Sequence, residues 1–239
     1  MINRIFIAAL ILICSCNSTN TQIVKSGLTT NESNSMTNVF FSSIKELNLP
    51  ISYADFTDYL TKVDNGSDYS PYLINPKMLI GKYIYFCESF EISALQSCKV
   101  YTVNTEKEIT SLIEGTESGT LIIPIFKSTV CNCIILGYLS YAQGETDTKF
   151  ASIKLRAYTK EGAMLTNEPL SLFYAGGGEG GDVLIKSSIN SNCTITMNRT
   201  DRTDLKETSS GDIEHSDKPQ ITKETHAFKI SENGINELK

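Results

Sequence analysis

Three rhythms of apolar and polar residues run along this chain. The first is an unbroken apolar run, Ile5 to Ile13, behind the basic residue Arg4. The second is helical: Phe40, Phe41, Ile44 and Leu47 fall on one face until Pro50 stops the segment. Phe56, Tyr59, Leu60 and Val63 repeat that spacing, which predicts a short helix over 54–63 with Ser52 as its cap and Asn65-Gly66 as the turn after it. The third rhythm is the period of two expected of strands.

Lys82 to Glu88 and Lys99 to Val103 are aromatic and β-branched and read as strands. Thr105-x-x-Glu108 is a capping box ahead of Ile109, Leu112 and Ile113, and Gly115 is a stop, so one short helix is expected there. From Thr120 a meander begins. Thr120 to Lys127 and Thr129 to Tyr141 are apolar strands, with Pro124 placing the first near an edge or a bulge. Lys149 to Thr159 alternates, with Ile153, Leu155 and Ala157 on one side and Lys154, Arg156 and Tyr158 on the other. Pro169 to Tyr174, Val183 to Ile189 and Thr194 to Asn198 continue the series, and His226 to Ile230, an Asn233-Gly234 turn and Ile235 to Leu238 close it. Residues 199–224 are polar and charged and read as a mobile excursion. The expected class is mainly β (β-rich α+β). It is an antiparallel meander, twisted or partly closed, with one to three short N-terminal helices.

The opening run is too short to span a bilayer, which takes about 20 apolar residues. With Arg4 before it and a small residue after it, the run reads as a secretory signal. Its ending, Ile13-Cys14-Ser15-Cys16, resembles the bacterial lipobox. That resemblance implies cleavage before Cys16, residues 1–15 leaving as the signal, and a diacylglyceride (palmitate-type chains) on the Cys16 thiol. Cys14 follows Ile13 rather than a small residue and leaves with the signal. A plain secretory signal with chance cysteines is the bland alternative. Several acyl chains hold far better than one, at about 0.8 kcal/mol per buried methylene. Asn17 follows Cys16, with neither an aspartate nor an acidic cluster. By the same resemblance, an outer-membrane anchor is expected, facing the periplasm, with the cell surface as the other option. Residues 16–37 then form a flexible tether rich in Asn, Ser and Thr, and 38–239 one β-rich domain.

Tyr158-Thr-Lys-Glu-Gly162 after an alternating strand, and Phe228-Lys-Ile-Ser-Glu-Asn-Gly234, are turn motifs. Together with the lipobox and the Leu49-Pro50 step, they are similar to small uncharacterised lipoproteins of Bacteroidetes-type bacteria. The resemblance covers most of the mature chain and implies a tether, a short helical region and a β-meander. It supplies no catalytic residue. The long charged stretch before the last hairpin departs from it.

Composition narrows the function classes. The chain has 21 basic and 27 acidic residues, and loss of the signal removes Arg4. A mildly acidic protein lacks the clustered Lys and Arg that nucleic acid requires, so no nucleic-acid partner is expected. Of the 7 cysteines, Cys87, Cys98, Cys131, Cys133 and Cys193 follow Cys16, an odd set. An envelope compartment permits disulfides. Cys87–Cys98 is one candidate, a bridge through Cys131 or Cys133 another, and buried free thiols a third reading. Cys131-Asn-Cys133 would place two thiols on one face of a strand. No CxxC or Cys–His spacing accompanies it, so no metal is expected.

Gly176-Gly177-Gly178-Glu179-Gly180-Gly181 matches GxGxxG literally. A dinucleotide site needs a helix N-terminus after the glycines, whereas Asp182-Val-Leu-Ile-Lys reads as a strand. The expectation is therefore a glycine-rich hairpin loop, a candidate contact for a partner, and no cofactor. His215 and His226 lack zinc spacing, and no serine sits in a Gly-x-Ser-x-Gly elbow, so no catalytic residues are assigned and the chain is read as a non-enzyme. The preferred function is a membrane-anchored, non-enzymatic binding or interaction module of the bacterial envelope, with an unknown protein or small-molecule ligand. An inhibitor or immunity protein against a toxin or wall-degrading enzyme, contacting it through 176–181 or 199–224, is the first alternative. A small envelope hydrolase with an unrecognised site is the second, and a structural envelope component a third.

Overall fold

The computed structural model describes residues 40–63, 69–86, 99–115, 121–143, 149–166, 168–178, 181–207 and 213–238. The signal, Cys16, the tether, Cys87, Cys98, Glu179 and Gly180 lie outside the described residues.

The described residues build thirteen strands: β1 (Ile51–Ser52), β2 (Leu60–Lys62), β3 (Tyr72–Ile74), β4 (Tyr83–Phe86), β5 (Lys99–Thr102), β6 (Leu121–Val130), β7 (Cys133–Gln143), β8 (Lys149–Thr159), β9 (Leu170–Gly178), β10 (Gly181–Ile189), β11 (Thr194–Glu207), β12 (Ile213–Ser231) and β13 (Gly234–Glu237). Every pairing between these strands is antiparallel, and the main sheet runs β13-β12-β11-β10-β9-β8-β7-β6-β4-β5. β1 pairs Ile51 and Ser52 with Ile189 and Ser188 of β10, beyond the stretch of β10 that β9 covers. Strands β2 and β3 form a separate hairpin. The meander is thus mostly a series of sequence-adjacent hairpins, and it does not close into a barrel, since β13 and β5 remain edges.

The period-two strands put one set of side chains on each face. On β7, Cys133, Ile135, Leu139 and Tyr141 enter the larger core, with Ile153, Leu155 and Ala157 of β8, while Ile134, Leu136 and Tyr138 enter a smaller one. The 3-10 helices Tyr53–Tyr59 and Pro76–Leu79 and the α-helix Glu106–Glu114 bury Phe56, Leu79 and Ile109 in the larger core. Phe40, Phe41 and Ile44 cover the smaller core over Tyr158, which is fully buried. Aromatic edges fix that lid, with Phe40 on Tyr85 at 5.0 Å and Phe41 on Tyr158 at 6.0 Å between ring centroids.

Helix Glu106–Glu114 starts as its capping pattern predicts. Thr105 Oγ1 accepts from the Glu108 N–H, and Glu108 reaches back to the Asn104 N–H at 2.9 Å. Ser52 and Asp55 form the reciprocal box ahead of Tyr53–Tyr59. Pro124 lies at a bulge, where the β6–β7 register shifts between Pro124 and Phe126. Gly162 takes φ 92° in the turn after β8, and Gly234 takes φ 102° in the last hairpin.

Four expectations are corrected. The helix expected through Leu47 ends at Ser42 among the described residues. The chain then extends beside β6, with Glu46 bridging Lys127 and the Leu47 N–H donating to the Lys127 carbonyl. The helix over 54–63 ends at Tyr59, because Leu60–Lys62 pairs with Tyr72–Ile74. The single run Thr129 to Tyr141 is broken by a two-residue turn at Cys131-Asn132. The charged stretch 199–224 is not an irregular excursion: its described residues belong to β11 and β12, which pair from Thr194↔Lys229 out to Glu207↔Ile213. Threonines and cross-strand opposite charges, such as Arg199 against Glu224, supply there what burial supplies elsewhere.

Candidate functional site

Gly176, Gly177 and Gly178 end β9 and Gly181 opens β10, with Gly178 paired to Gly181. Gly176 has φ 153°, a region that favours glycine. At Gly177 a Cβ would overlap the Gly181 carbonyl oxygen and sit 2.6 Å from Asp182 Cα, so only glycine permits this approach of the two strands. The glycines therefore serve strand contact, and β10 follows them where a dinucleotide site would need a helix.

Beside this hairpin, on β10 and β11, lies an open depression of about 340 Å³ lined by Gly181, Asp182, Val183, Asp201, Arg202, Thr203 and Leu205. Val183 and Leu205 supply apolar surface, and ion pairs rim it. Arg202 reaches Asp182 Oδ2 on the neighbouring strand at 2.9 Å. Its other nitrogen lies 3.2 Å from Asp204 Oδ1 but hydrogen-bonds Oδ2, leaving the buried Oδ1 without a hydrogen-bond partner among the described residues. Arg199 holds Asp201 through two nitrogens, at 2.8 and 2.9 Å. That hydrogen bond, with the Asp201 and Glu224 charges, raises the Arg199 pKa further. The charges are preset by neighbours two residues or one strand away, so a partner meets an ordered pattern. A small molecule is usually enclosed on most of its surface; an open depression suits a larger polar surface.

The two strands beyond it continue as a ribbon. Leu205 to Glu207 pair with Ile213 to His215 and have no other strand partner among the described residues. Ile221 of β12, opposite Arg202, is 53 % exposed.

His226 lies between two carboxylates, with Nδ1 2.8 Å from Glu237 and Nε2 3.2 Å from Glu224. Hydrogen bonds to Glu237 and then Glu224 hold its pKa above the ordinary imidazole value. Both ring nitrogens are engaged by carboxylates, so neither faces a hydroxyl or thiol as a nucleophile's base must.

The cysteines are arranged differently from the sequence expectation. Cys131 and Cys133 do not share a strand face. Cys131 (φ 48°) and Asn132 (φ 64°) form the β6–β7 turn, leaving Cys131 exposed, while Cys133 is buried and its thiol donates to the Val130 carbonyl at 3.2 Å. Cys193 (φ 60°), which sequence reasoning did not single out, stands in the β10–β11 turn. The Cys193 pKa is raised, first by hydrogen-bonding interaction with Cys131, then by burial and the Cys131 charge, with Lys229 opposing. Burial pushes Cys133 up to about 11, with Cys131 and Cys193 adding to it. All three thiols are free.

Among the described residues, no group of three or more His, Cys, Asp or Glu side chains is disposed to hold a metal ion, and no helix is long and apolar enough to cross a membrane. No family model, no curated protein and no solved structure matches this chain.

Proposed function

We propose that this chain is a lipid-anchored protein of the bacterial cell envelope whose β domain acts as a non-enzymatic binding or interaction module. The observation that carries the anchor is Ile13-Cys14-Ser15-Cys16 at the end of a nine-residue apolar run behind Arg4. The polar stretch 17–37 acts as a spacer, so the domain can reach a partner at a distance from the bilayer. The depression on β10 and β11, with its preset ion pairs, is the contact surface in this reading.

The test has two arms. Metabolic labelling with a fatty-acid analogue should mark the wild-type protein and fail on Cys16→Ala; label surviving in the variant removes the anchor. Cross-linking in intact membranes should recover a partner from wild type and lose it with Val183→Asp. Equal recovery from both places the contact elsewhere, and recovery of no partner removes the binding role.

The β11–β12 ribbon, extending past the strands beside it, favours inhibition or immunity as the second reading. Protruding loops and hairpins can occupy an enzyme's cleft. Mixing the protein with lysozyme-type enzymes and with toxins encoded next to its gene checks this. Absence of both protection and complex formation removes it.

A further inference from the structure

We propose that Lys154, Arg156 and Ser171 form a binding site for a phosphate group, on the face of β8 turned away from the larger core. The inference does not depend on the anchor or on the depression beside β10 and β11.

Unbalanced charge carries it. Of the described arginines, Arg199 holds Asp201, and Arg202 holds Asp182 and Asp204. Arg156 meets no carboxylate among the described residues. Its Nε donates to the Tyr138 hydroxyl at 3.2 Å, and one terminal nitrogen donates to the Met164 sulfur at 2.7 Å. A thioether is a weak acceptor, and a guanidinium carries more donors than these contacts use. Two residues back along the same face, Lys154 donates to Ser171 Oγ at 2.8 Å and lies 5.9 Å from the centroid of the Tyr174 ring. It too meets no carboxylate among the described residues. Both cations are half-buried. Burial holds the Lys154 pKa below the ordinary lysine value, the direction expected of an ammonium without a counter-charge. A half-buried cation left unpaired costs free energy, and an arriving anion recovers it.

The backbone brings the three side chains to one place. The β8–β9 register shifts between Ile153 and Lys154: Ile153 faces Phe173, but Lys154 faces Ser171, so Leu172 is the extra residue of a bulge. Leu172 and Phe173 both enter the larger core, and Ser171 is turned to Lys154. Ser187 Oγ donates to the Ser171 carbonyl at 2.8 Å and fixes that position. Lys154 and Arg156 stand about 6.6 Å apart along the strand, a span that two long side chains close around one tetrahedral oxyanion.

The donor set selects the ligand. The ammonium and the guanidinium only donate, and the Ser171 hydroxyl, which accepts from Lys154, keeps its own hydrogen for donation. A neutral polyol needs acceptors as well as donors, whereas an oxyanion needs donors alone. Two positive charges match a phosphate monoester, which carries about −1.5 to −2 at neutral pH. A carboxylate leaves one cation unpaired. The phosphate can be the free ion or an ester.

Full-length protein in a neutral, phosphate-free detergent is titrated with inorganic phosphate, glycerol phosphate and acetate at fixed ionic strength. Calorimetry measures affinity, and the Arg156 Nε–H resonance reports the site. The expected result is saturable one-to-one phosphate binding that moves this resonance. Lys154→Met and Arg156→Met should each weaken binding roughly tenfold or more. Lys127→Met, which removes a cation already held by Glu46, should leave it unchanged. Binding of inorganic phosphate alone assigns the free ion, and binding of glycerol phosphate assigns an ester. The proposal is overturned by acetate matching phosphate, by no saturable binding, by an Arg156 resonance that stays still, or by undiminished affinity in both variants. The wild-type titration decides it even where a variant fails to fold.

Discussion

The ring of Phe126 lies across Gly137, its cross-strand partner, so closely that a Cβ on residue 137 would overlap the ring edge. The same ring stacks on Phe56 at 4.6 Å, 9° from parallel. The bulge after Pro124 sets Phe126 opposite Gly137. One missing side chain thus makes room for the stack that ties the 3-10 helix Tyr53–Tyr59 to the sheet.

Gly137→Ala should therefore destabilise the fold by about 1–3 kcal/mol through overpacking. Phe126→Ala should cost about 3–5 kcal/mol through the cavity it leaves. Urea unfolding monitored by circular dichroism measures both. A neutral Gly137→Ala would mean that the ring moves aside freely.

Gly177→Ala should disrupt the β9–β10 hairpin, because the added methyl meets the backbone of Gly181 and Asp182 rather than a movable side chain. Hydrogen exchange should report loss of protection in β9 and β10 while β7 and β8 stay protected. Uniform protection across all four strands would refute the backbone clash.

His226 carries a pH prediction. Its folded pKa is raised by Glu237 and Glu224, so its ion pairs contribute stability that is fully present below the unfolded value of about 6.5. That contribution is lost as the pH rises through the folded pKa. The imidazole resonances should titrate above the free value and return to it in the Glu224→Gln, Glu237→Gln double variant. Titration at the free value in wild type would rule the contact out.

Arg202→Ala should loosen the rim of the depression, since it releases both Asp182 and Asp204. Arg202 and Asp182 are about 30 % exposed and Asp204 38 %, so solvent screens them and the stability loss should be at most about 1 kcal/mol. Partner binding should fall more than stability does. A parallel loss of both would make Arg202 structural only.

Much of the strand order was legible in the residues. Lys149–Thr159 is a strand over the span its alternation predicts, and Thr105, Glu108 and Gly115 bound their helix as capping chemistry requires. Local signals succeed where the interactions are local. The region 199–224 was illegible because its strands are polar on both faces, and hydrophobic period cannot detect a ribbon held by cross-strand partners distant in sequence. Similarly, Phe40 and Phe41 have a helical spacing, but the helix stops at Ser42, and their partners Tyr85 and Tyr158 hold the two rings over the sheet.

By themselves, the residues determined much of the hairpin succession and the caps, because each depends on chain neighbours within a few positions. Tertiary structure alone decided that the second face of the sheet is covered and that Arg202 bridges Asp182 across strands. The physical reason is that strand pairing joins residues far apart in sequence, and no local pattern encodes which strands become neighbours.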